Sequence, residues 1–171
     1  MTRLVFLDID GVLNDHTIMP NGFTTIQPDK VAHLNRILAA VPDLQIVVSS
    51  AWRYHVINGD MTVRGMEMLL RTHGIDCAGR VHGITDPDPE TFHPDDHKPP
   101  YDAEKWHERG LKWRAVQIQD YCRRARYKHE LCCTLDDLPL DLDQDRQPFV
   151  QTDKNIGLTA ELADEVIRRL S

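Results

Sequence analysis

Two aspartates end the first apolar stretch of the chain, in the sequence RLVFLDIDG. Asp8 and Asp10 follow Leu7 and are separated only by Ile9. Carboxylates at the end of a buried strand are costly unless a partner neutralises them. A metal ion and a chemical task are the two partners that would account for both acids. The remaining polar residues of the chain can be searched for signs of either.

Polar residues also end two later apolar stretches. Ser49 and Ser50 follow DLQIVV, and the acidic pair Asp136 and Asp137 follows LCCTL. Sites in parallel α/β sheets form outside the carboxyl ends of the strands. If the three strands are neighbours, the polar groups of DIDG, SSAWR and LDDLPLD converge on one crevice.

The elements that must position these residues alternate between strands and helices. Short, continuous apolar runs predict buried strands in RLVFLDI, DLQIVVSS, LCCTLDD and PFVQT. Apolar residues at helical spacing predict helices in QPDKVAHLNRILAAV, VRGMEMLLRTHGI, WRAVQIQDYCRRA and LTAELADEVIRRL. Residues 76–110 are rich in Pro, Asp and His, which predicts an irregular segment. This order predicts an α/β, Rossmann-like fold in which helices cover both faces of a parallel sheet.

Length and composition are those of one globular domain. The 171 residues are 41% hydrophobic and 27% charged, and the net charge is −7. This acidic balance argues against a surface that coats nucleic acid broadly, although it is compatible with a local basic groove. The four cysteines form no CxxC pair and are interpreted as buried reduced thiols, with zinc or disulfides as the alternative. The N-terminus does not resemble a signal peptide and no apolar run is long enough to span a bilayer, so we expect a cytoplasmic domain.

Four motifs together resemble those of the haloacid dehalogenase (HAD) superfamily. FLDIDGVLN is similar to the first motif, an Asp-x-Asp pair after the first strand, and IVVSS to the second, a Ser or Thr after another strand. Arg114 in KWRAVQI, with Lys112 as the alternate, resembles the basic third motif near the start of a helix, and TLDDLPLD resembles the acidic fourth motif. SSAWR and TDKNIGLT look closer to the phosphatase modules of nucleic-acid repair proteins, a group similar to polynucleotide kinase-phosphatases.

The resemblance implies a magnesium-dependent phosphatase. Asp8 would attack phosphorus and form an aspartyl-phosphate, and Asp10 would protonate the leaving oxygen and then activate water. Asp8, the Asp10 carbonyl and Asp137 would hold Mg²⁺, with Asp136 near them.

The resemblance also implies roles for polar residues around the phosphoryl group. Ser49 would donate a hydrogen bond to the phosphoryl oxygens, and Arg114 would balance their charge. Arg53 would reach a substrate phosphate or base. The full set of predicted substrate contacts is Ser50, Trp52, Arg53 and Lys112.

Ordinary structural interpretations compete with these roles. Asp8 and Asp10 could form a turn, either serine could cap a helix, and Arg114 could be a surface residue. Trp52 and Arg53 could be core packing and a surface charge. The two histidines of HPDDH suggest a metal, but no helix presents them, and a solvated loop is the preferred interpretation. RRARYKH has basic residues around an aromatic one, a pattern typical of nucleic-acid grooves and also of solvated helix ends.

We therefore expect a single domain over residues 1–171, with an insertion at roughly 54–112 that is too small to close as a lid. Such an open site suits a bulky substrate, such as a phosphorylated DNA or RNA end, with no membrane and no obligate protein partner. The same residues would serve a phosphatase for nucleotides or sugar phosphates. A third hypothesis is a non-catalytic, receiver-like phosphate-binding module, which would have no need of an acid at Asp10.

Overall fold

A computed structural model describes residues 2–15, 25–86, 103–142 and 147–171, with side chains in the third range described from residue 113 onward. Its helices and strands, in chain order, are β1 (Arg3–Leu7), α1 (Pro28–Ala40), β2 (Leu44–Val48), α2 (Tyr54–Ile57), α3 (Val63–Thr72), β3 (Val81–Ile84), α4 (Ala103–Ala125), β4 (Cys132–Asp136), β5 (Phe149–Gln151) and α5 (Ala160–Leu170). Short 3₁₀ turns at Ala51–Arg53 and His129–Leu131 precede α2 and β4. The HPDDH motif at 93–97 lies outside the described residues, so its loop stays a prediction.

The strands form one five-stranded parallel sheet in the order β3-β2-β1-β4-β5. After β3, the chain crosses to the other side of β1 to form β4, so the strand order reverses between β1 and β4. Leu7 of β1 pairs with Val48 of β2 and with Leu135 of β4. The residues that follow these three, Asp8, Ser49 and Asp136, therefore reach the carboxyl edge of the sheet at the same level.

Helices cover both faces of the sheet, as the sequence predicts. Val5 and Leu7 of β1 belong to the core cluster that includes buried residues of α1, α3 and α5. Leu4 and Phe6, which point to the opposite face, pack in a second cluster with buried residues of α4. The predicted Rossmann-like α/β fold is confirmed.

Proline, threonine caps and a glycine mark the termini of the three helices on the first face of the sheet. Pro28 opens α1, where its fixed φ and missing N–H cost nothing. The side chains of Thr62 and Thr159 cap α3 and α5 by accepting backbone N–H groups. Gly74, with φ +88°, follows the end of α3. Among the described residues, no helix is both long enough and apolar enough to cross a bilayer.

The structure differs from the sequence-based prediction in the segment 76–110. Residues Val81–Ile84 form β3 at the sheet edge, and α4 begins at Ala103 instead of near residue 113. β3 lacks a continuous apolar run because it is only partly buried and contains Gly83. A Cβ at Gly83 would lie 2.9 Å from the hydroxyl of Tyr121, so the glycine lets α4 approach this edge closely.

Candidate active site

Three charged side chains meet where the strand order reverses. Asp8 follows β1 and is 4% exposed, and Asp136 ends β4 and is fully buried. Arg114 of α4 reaches between them: its Nη1 donates to Asp8 Oδ2 at 2.6 Å and to Asp136 Oδ2 at 2.8 Å and Oδ1 at 3.0 Å. Packing α4 against the second face of the sheet thus neutralises part of the charge that the two buried acids carry.

Burial and mutual repulsion dominate the electrostatics of this cluster. Burial, and then the neighbouring Asp8, raise the pKa of Asp136 to about 7, although Arg114 works in the opposite direction. Burial alone would lower the pKa of Arg114, but the charges of Asp8 and Asp136 outweigh it and raise that pKa above its ordinary value. Arg114 is therefore a permanent cation in the site, whereas the surroundings of Asp136 on balance favour its protonated form, with Arg114 opposing this effect.

Replacing Arg114 with methionine should destabilise the metal-free protein by about 3–5 kcal/mol, because two buried carboxylates would lose their cation. The free energy of unfolding, measured by urea denaturation in the presence of a chelator, checks this. The matched control is Arg124→Met, since Arg124 is half-exposed on the same helix and pairs with Asp120 at the surface. The control should cost no more than about 1 kcal/mol. Equal losses in the two variants would contradict the assignment of a buried ion pair.

Asp10 lies at the rim of the site, held by two neutral donors. The side-chain amide of Asn14 donates to Asp10 Oδ1 at 2.9 Å, and the indole Nε1 of Trp52 donates to Asp10 Oδ2 at 3.1 Å. Asn14 also accepts the backbone N–H of Gly11 at 3.0 Å. The orientation of the Asp10 carboxylate is therefore set by its own loop on one side and by the turn after β2 on the other.

The acidic side chains at this edge have the chemistry of a metal site. Carboxylate oxygens of Asp8, Asp136 and Asp137 lie within 4.8 Å of one another. Oxygen donors of this kind fit Mg²⁺, which prefers a few carboxylates together with water and phosphate oxygens. Asp137 packs tightly against Gly11: a Cβ there would lie 2.6 Å from Asp137 Cγ, and the φ of Gly11 is +78°. The predicted contribution of the Asp10 carbonyl stays a prediction.

The two serines after β2 occupy different environments. Ser49 is fully buried, at the level of Asp8, and its Oγ lies 3.5 Å from the hydroxyl of Thr85, which donates to it. The Oγ of Ser50 accepts the backbone N–H of Trp52 at 3.3 Å and so caps the short 3₁₀ turn. This geometry favours Ser49 over Ser50 as the phosphate ligand, and the assignment stays a prediction.

Arg53 points into the protein. Its Nη1 donates to the carbonyls of Ser49 and Ser50 at 2.9 and 2.8 Å, and its Nη2 donates to Gln117 Oε1 at 3.0 Å. The residue is 5% exposed, and its Nε has no hydrogen-bond partner among the described residues. The sequence suggests a contact with substrate, whereas the structure shows a guanidinium that braces the serine turn against α4. The side chain of Lys112 lies outside the described residues.

The basic stretch RRARYKH, at residues 123–129, lies at the opposite end of the sheet from the site. It spans the end of α4 and the turn before β4, and the carbonyl of Lys128 accepts from the thiol of Cys132, the first residue of β4. The acidic cluster is at the other end of that strand. The stretch therefore does not lie beside the acidic cluster, because α4 runs antiparallel to the strands, and its position at the end of α4 favours the solvated helix end. The buried cysteines are free thiols, as predicted.

Three residues that position the site were not predicted from the sequence: Asn14, Gln117 and Thr152. Asn14 is the last residue of the FLDIDGVLN motif and lies four residues after Asp10. Its place in the motif could therefore have indicated a role beside Asp10. Gln117 supports Arg53, and the hydroxyl of Thr152 donates to the Gly11 carbonyl at 2.7 Å. These two carry no sequence signal because their partners are 64 and 141 residues away along the chain.

An Asp-x-Asp loop, an acidic pair and a buried arginine meet at the point where the strand order of this parallel α/β sheet reverses. This combination defines the class of HAD-type domains. A family model described as the HAD domain in Swiss Army Knife RNA repair proteins matches residues 4–163. The match covers most of the chain, and the protein belongs to this family of HAD domains. Its members are in general phosphatases and related hydrolases.

Proposed function

We propose that this domain hydrolyses phosphate monoesters at the ends of RNA, through a phospho-enzyme formed on Asp8 and with Mg²⁺ as its cofactor. The observation that carries the proposal is the environment of Asp8. Its carboxylate is ion-paired with Arg114 and lies within 4.8 Å of the carboxylates of Asp136 and Asp137. A carboxylate nucleophile that must stay ionised and approach an anionic phosphate needs positive charge on more than one side.

Mg²⁺ would be held by Asp8, Asp136 and Asp137. When bound, the cation would neutralise charge on the phosphoryl oxygens during transfer. Asp136 Oδ1 accepts a hydrogen bond from the backbone N–H of Leu138 at 3.0 Å, which helps to orient this carboxylate toward the site.

In the first step, a carboxylate oxygen of Asp8 attacks phosphorus, and the bond from phosphorus to the ester oxygen breaks. Asp10 donates its proton to that ester oxygen, so the substrate leaves as an alcohol. The guanidinium of Arg114 and the hydroxyl of Ser49 would stabilise charge that develops on the other phosphoryl oxygens.

In the second step, water attacks the phosphorus of the aspartyl-phosphate. Asp10, now ionised, takes a proton from that water, and the bond from phosphorus to the Asp8 oxygen breaks. Inorganic phosphate is released, and both aspartates regain their starting protonation. The hydrogen bonds from Asn14 and Trp52 support this alternation because they keep one carboxylate in place for both proton transfers.

The RNA part of the proposal rests on the family match, whose description names RNA repair proteins. A phosphatase for nucleotides or sugar phosphates would use the same residues, so substrate comparison must separate the two. A receiver-like binding module is disfavoured because it would not need Asp10 held by two donors beside the nucleophile.

Removing divalent cations should lower hydrolysis of p-nitrophenyl phosphate by about 10²-fold or more, since metal stabilisation of transferring phosphate is worth several kcal/mol. The measurement compares initial rates after exhaustive chelation, and again after Mg²⁺ is restored. Restoration with an equal ionic strength of Na⁺ is the control and should not recover activity. Full activity in the chelated protein would overturn the metal assignment.

A substrate panel tests the RNA assignment. It contains 3′- and 5′-phosphorylated RNA and DNA oligonucleotides, the corresponding mononucleotides and sugar phosphates. The highest kcat/KM for a phosphorylated RNA end is the expected result. Equal kcat/KM for an oligonucleotide and its mononucleotide, unchanged between low and moderate salt, would favour the small-molecule phosphatase instead.

A further inference from the structure

A shallow open groove of about 500 Å³ lies at the carboxyl ends of β4 and β5, and Asp137 of the acidic cluster forms part of its wall. The other residues that line it belong to one continuous segment, Gln151–Asn155. Apart from the hydrogen bond that Thr152 donates to Gly11, this segment takes no part in the reaction proposed above. Because the groove shares Asp137 with the acidic cluster, a substrate whose reacting phosphate lies at Asp8 could extend into it.

Three of the lining residues, Asp153, Lys154 and Asn155, belong to a tightly bonded loop, Asp153–Gly157. Asp153 Oδ1 accepts from the backbone N and the side-chain Nδ2 of Asn155 at 2.8 and 3.2 Å, and the Gly157 N–H donates to the Asp153 carbonyl at 2.7 Å. Gly157 has φ +75°, and a Cβ there would lie 2.9 Å from the carbonyl of Val12. The loop is therefore fixed against the segment that follows β1, which carries Asp10.

The polar groups in the groove are not equally available to a ligand. The amide of Gln151 donates to the Asp137 carbonyl at 2.9 Å, and the hydroxyl of Thr152 donates to Gly11. Lys154 is different: it is exposed, and no described residue is ion-paired with it. It is also the only cation among the residues that line the groove. Two residues further on, and next to the residues that line the groove, Ile156 is 52% exposed.

We propose that this groove is a subsite for the nucleotide next to the reacting phosphate, in which Lys154 binds the adjoining backbone phosphate and Ile156 packs against the sugar or base. The subsite rests on the phosphohydrolase proposed above. An ammonium group and an apolar side chain two residues apart match a nucleotide, which offers an anionic phosphate and an apolar base face. The same lysine could bind the second phosphate of a small bisphosphate, and the experiment distinguishes these sources.

The test compares Lys154→Gln with Lys128→Gln, a matched control in which the substituted lysine is 63% exposed and lies at the opposite end of the sheet. The substrates are a hexaribonucleotide with a terminal phosphate, a nucleoside 3′,5′-bisphosphate and p-nitrophenyl phosphate. Lys154→Gln should lower kcat/KM for the hexaribonucleotide by about tenfold, as loss of a charge-assisted hydrogen bond does. It should also reduce the slope of log kcat/KM against log salt by about 0.7. Neither change should appear in Lys128→Gln or with p-nitrophenyl phosphate.

Ile156→Ser should lower hexaribonucleotide efficiency severalfold without changing the salt slope, because the lost contact is apolar. An unchanged hexaribonucleotide kcat/KM in Lys154→Gln would overturn the subsite, while continued hydrolysis of p-nitrophenyl phosphate would leave the proposed function standing. An equal loss with the bisphosphate would also overturn it, in favour of a small-molecule subsite.

A binding measurement keeps the subsite testable if no phosphate ester is hydrolysed. Fluorescence anisotropy of a labelled, phosphorylated hexaribonucleotide is measured with Asp8→Asn and with the double variant Asp8→Asn/Lys154→Gln, both in Mg²⁺. About tenfold weaker binding by the double variant supports the subsite, and equal binding overturns it.

Discussion

Replacing Asp8 with asparagine is expected to abolish phosphate-ester hydrolysis, with a fall in kcat of about 10⁴-fold or more. The amide cannot attack phosphorus to form an acyl phosphate, so the reaction loses its covalent route. Asn is nearly the same size as Asp, and the backbone N–H of residue 8 still donates to the Leu135 carbonyl. Initial rates with p-nitrophenyl phosphate, in a preparation free of contaminating phosphatase, provide the measurement.

Two controls accompany the Asp8 variant. Asp76→Asn makes the same chemical change at an exposed position outside the site and should retain full activity. Circular dichroism and thermal unfolding should show that Asp8→Asn is folded. If the folded variant kept more than about a hundredth of the activity, the nucleophile would have to be another residue.

Replacing Asp10 with asparagine is expected to lower kcat by about 10²- to 10⁴-fold, the usual contribution of a positioned general acid or base. Because Asp10 serves both steps, the loss should depend on the leaving group. An ester with a poor leaving group, such as an alkyl phosphate, should suffer more than p-nitrophenyl phosphate, whose phenolate needs little protonation. With the good leaving group, the phospho-enzyme should accumulate because water is no longer activated. Rapid quenching with ³²P-labelled substrate would detect it.

The Asp10 carboxylate accepts hydrogen bonds from Asn14 and Trp52, and Asp10→Asn also perturbs this bonding. Trp52→Phe tests that contribution, since it removes the indole donor to Asp10 Oδ2 and keeps an aromatic ring against the core. Its effect should be smaller, of the order of tenfold, and should not depend on the leaving group. An equal loss with both leaving groups, without accumulation of the phospho-enzyme, would indicate that Asp10 acts only by positioning its neighbours.

Much of the fold could be predicted from the sequence, because the signals are local. A short stretch of sequence is enough to recognise each of these patterns: the apolar runs of β1, β2, β4 and β5, and the helical periodicity of α1, α3 and α5. The acids of DIDG and LDD were also conspicuous locally, since each interrupts an apolar strand. Alternation of strands and helices then restricts the sheet to a parallel arrangement with sites at the carboxyl ends.

Elements with weak local signals were missed. β3 is short, half-exposed and interrupted by Gly83, so it carries no apolar run. It is a strand because it pairs with the edge of β2, an interaction between residues such as Val48 and Ile84 that are far apart along the chain. The first turns of α4 contain few apolar residues at helical spacing. The helix predicted from the sequence therefore begins about ten residues too late.

The sequence by itself determined which strand ends carry acids, whereas the tertiary structure decided which side chain each acid meets. Arg114 contacts Asp8 across 106 residues, and Trp52 contacts Asp10 across 42. Arg53 points into the protein, and RRARYKH lies at the opposite end of the sheet from the acidic cluster. Both carry positive charge of the kind that binds phosphate, but neither lies where a phosphate at Asp8 would contact it. The physical reason is that an ion pair depends on the crossing and direction of packed elements. Composition reports only that the charges exist, and the path of α4 across the sheet decides where they lie.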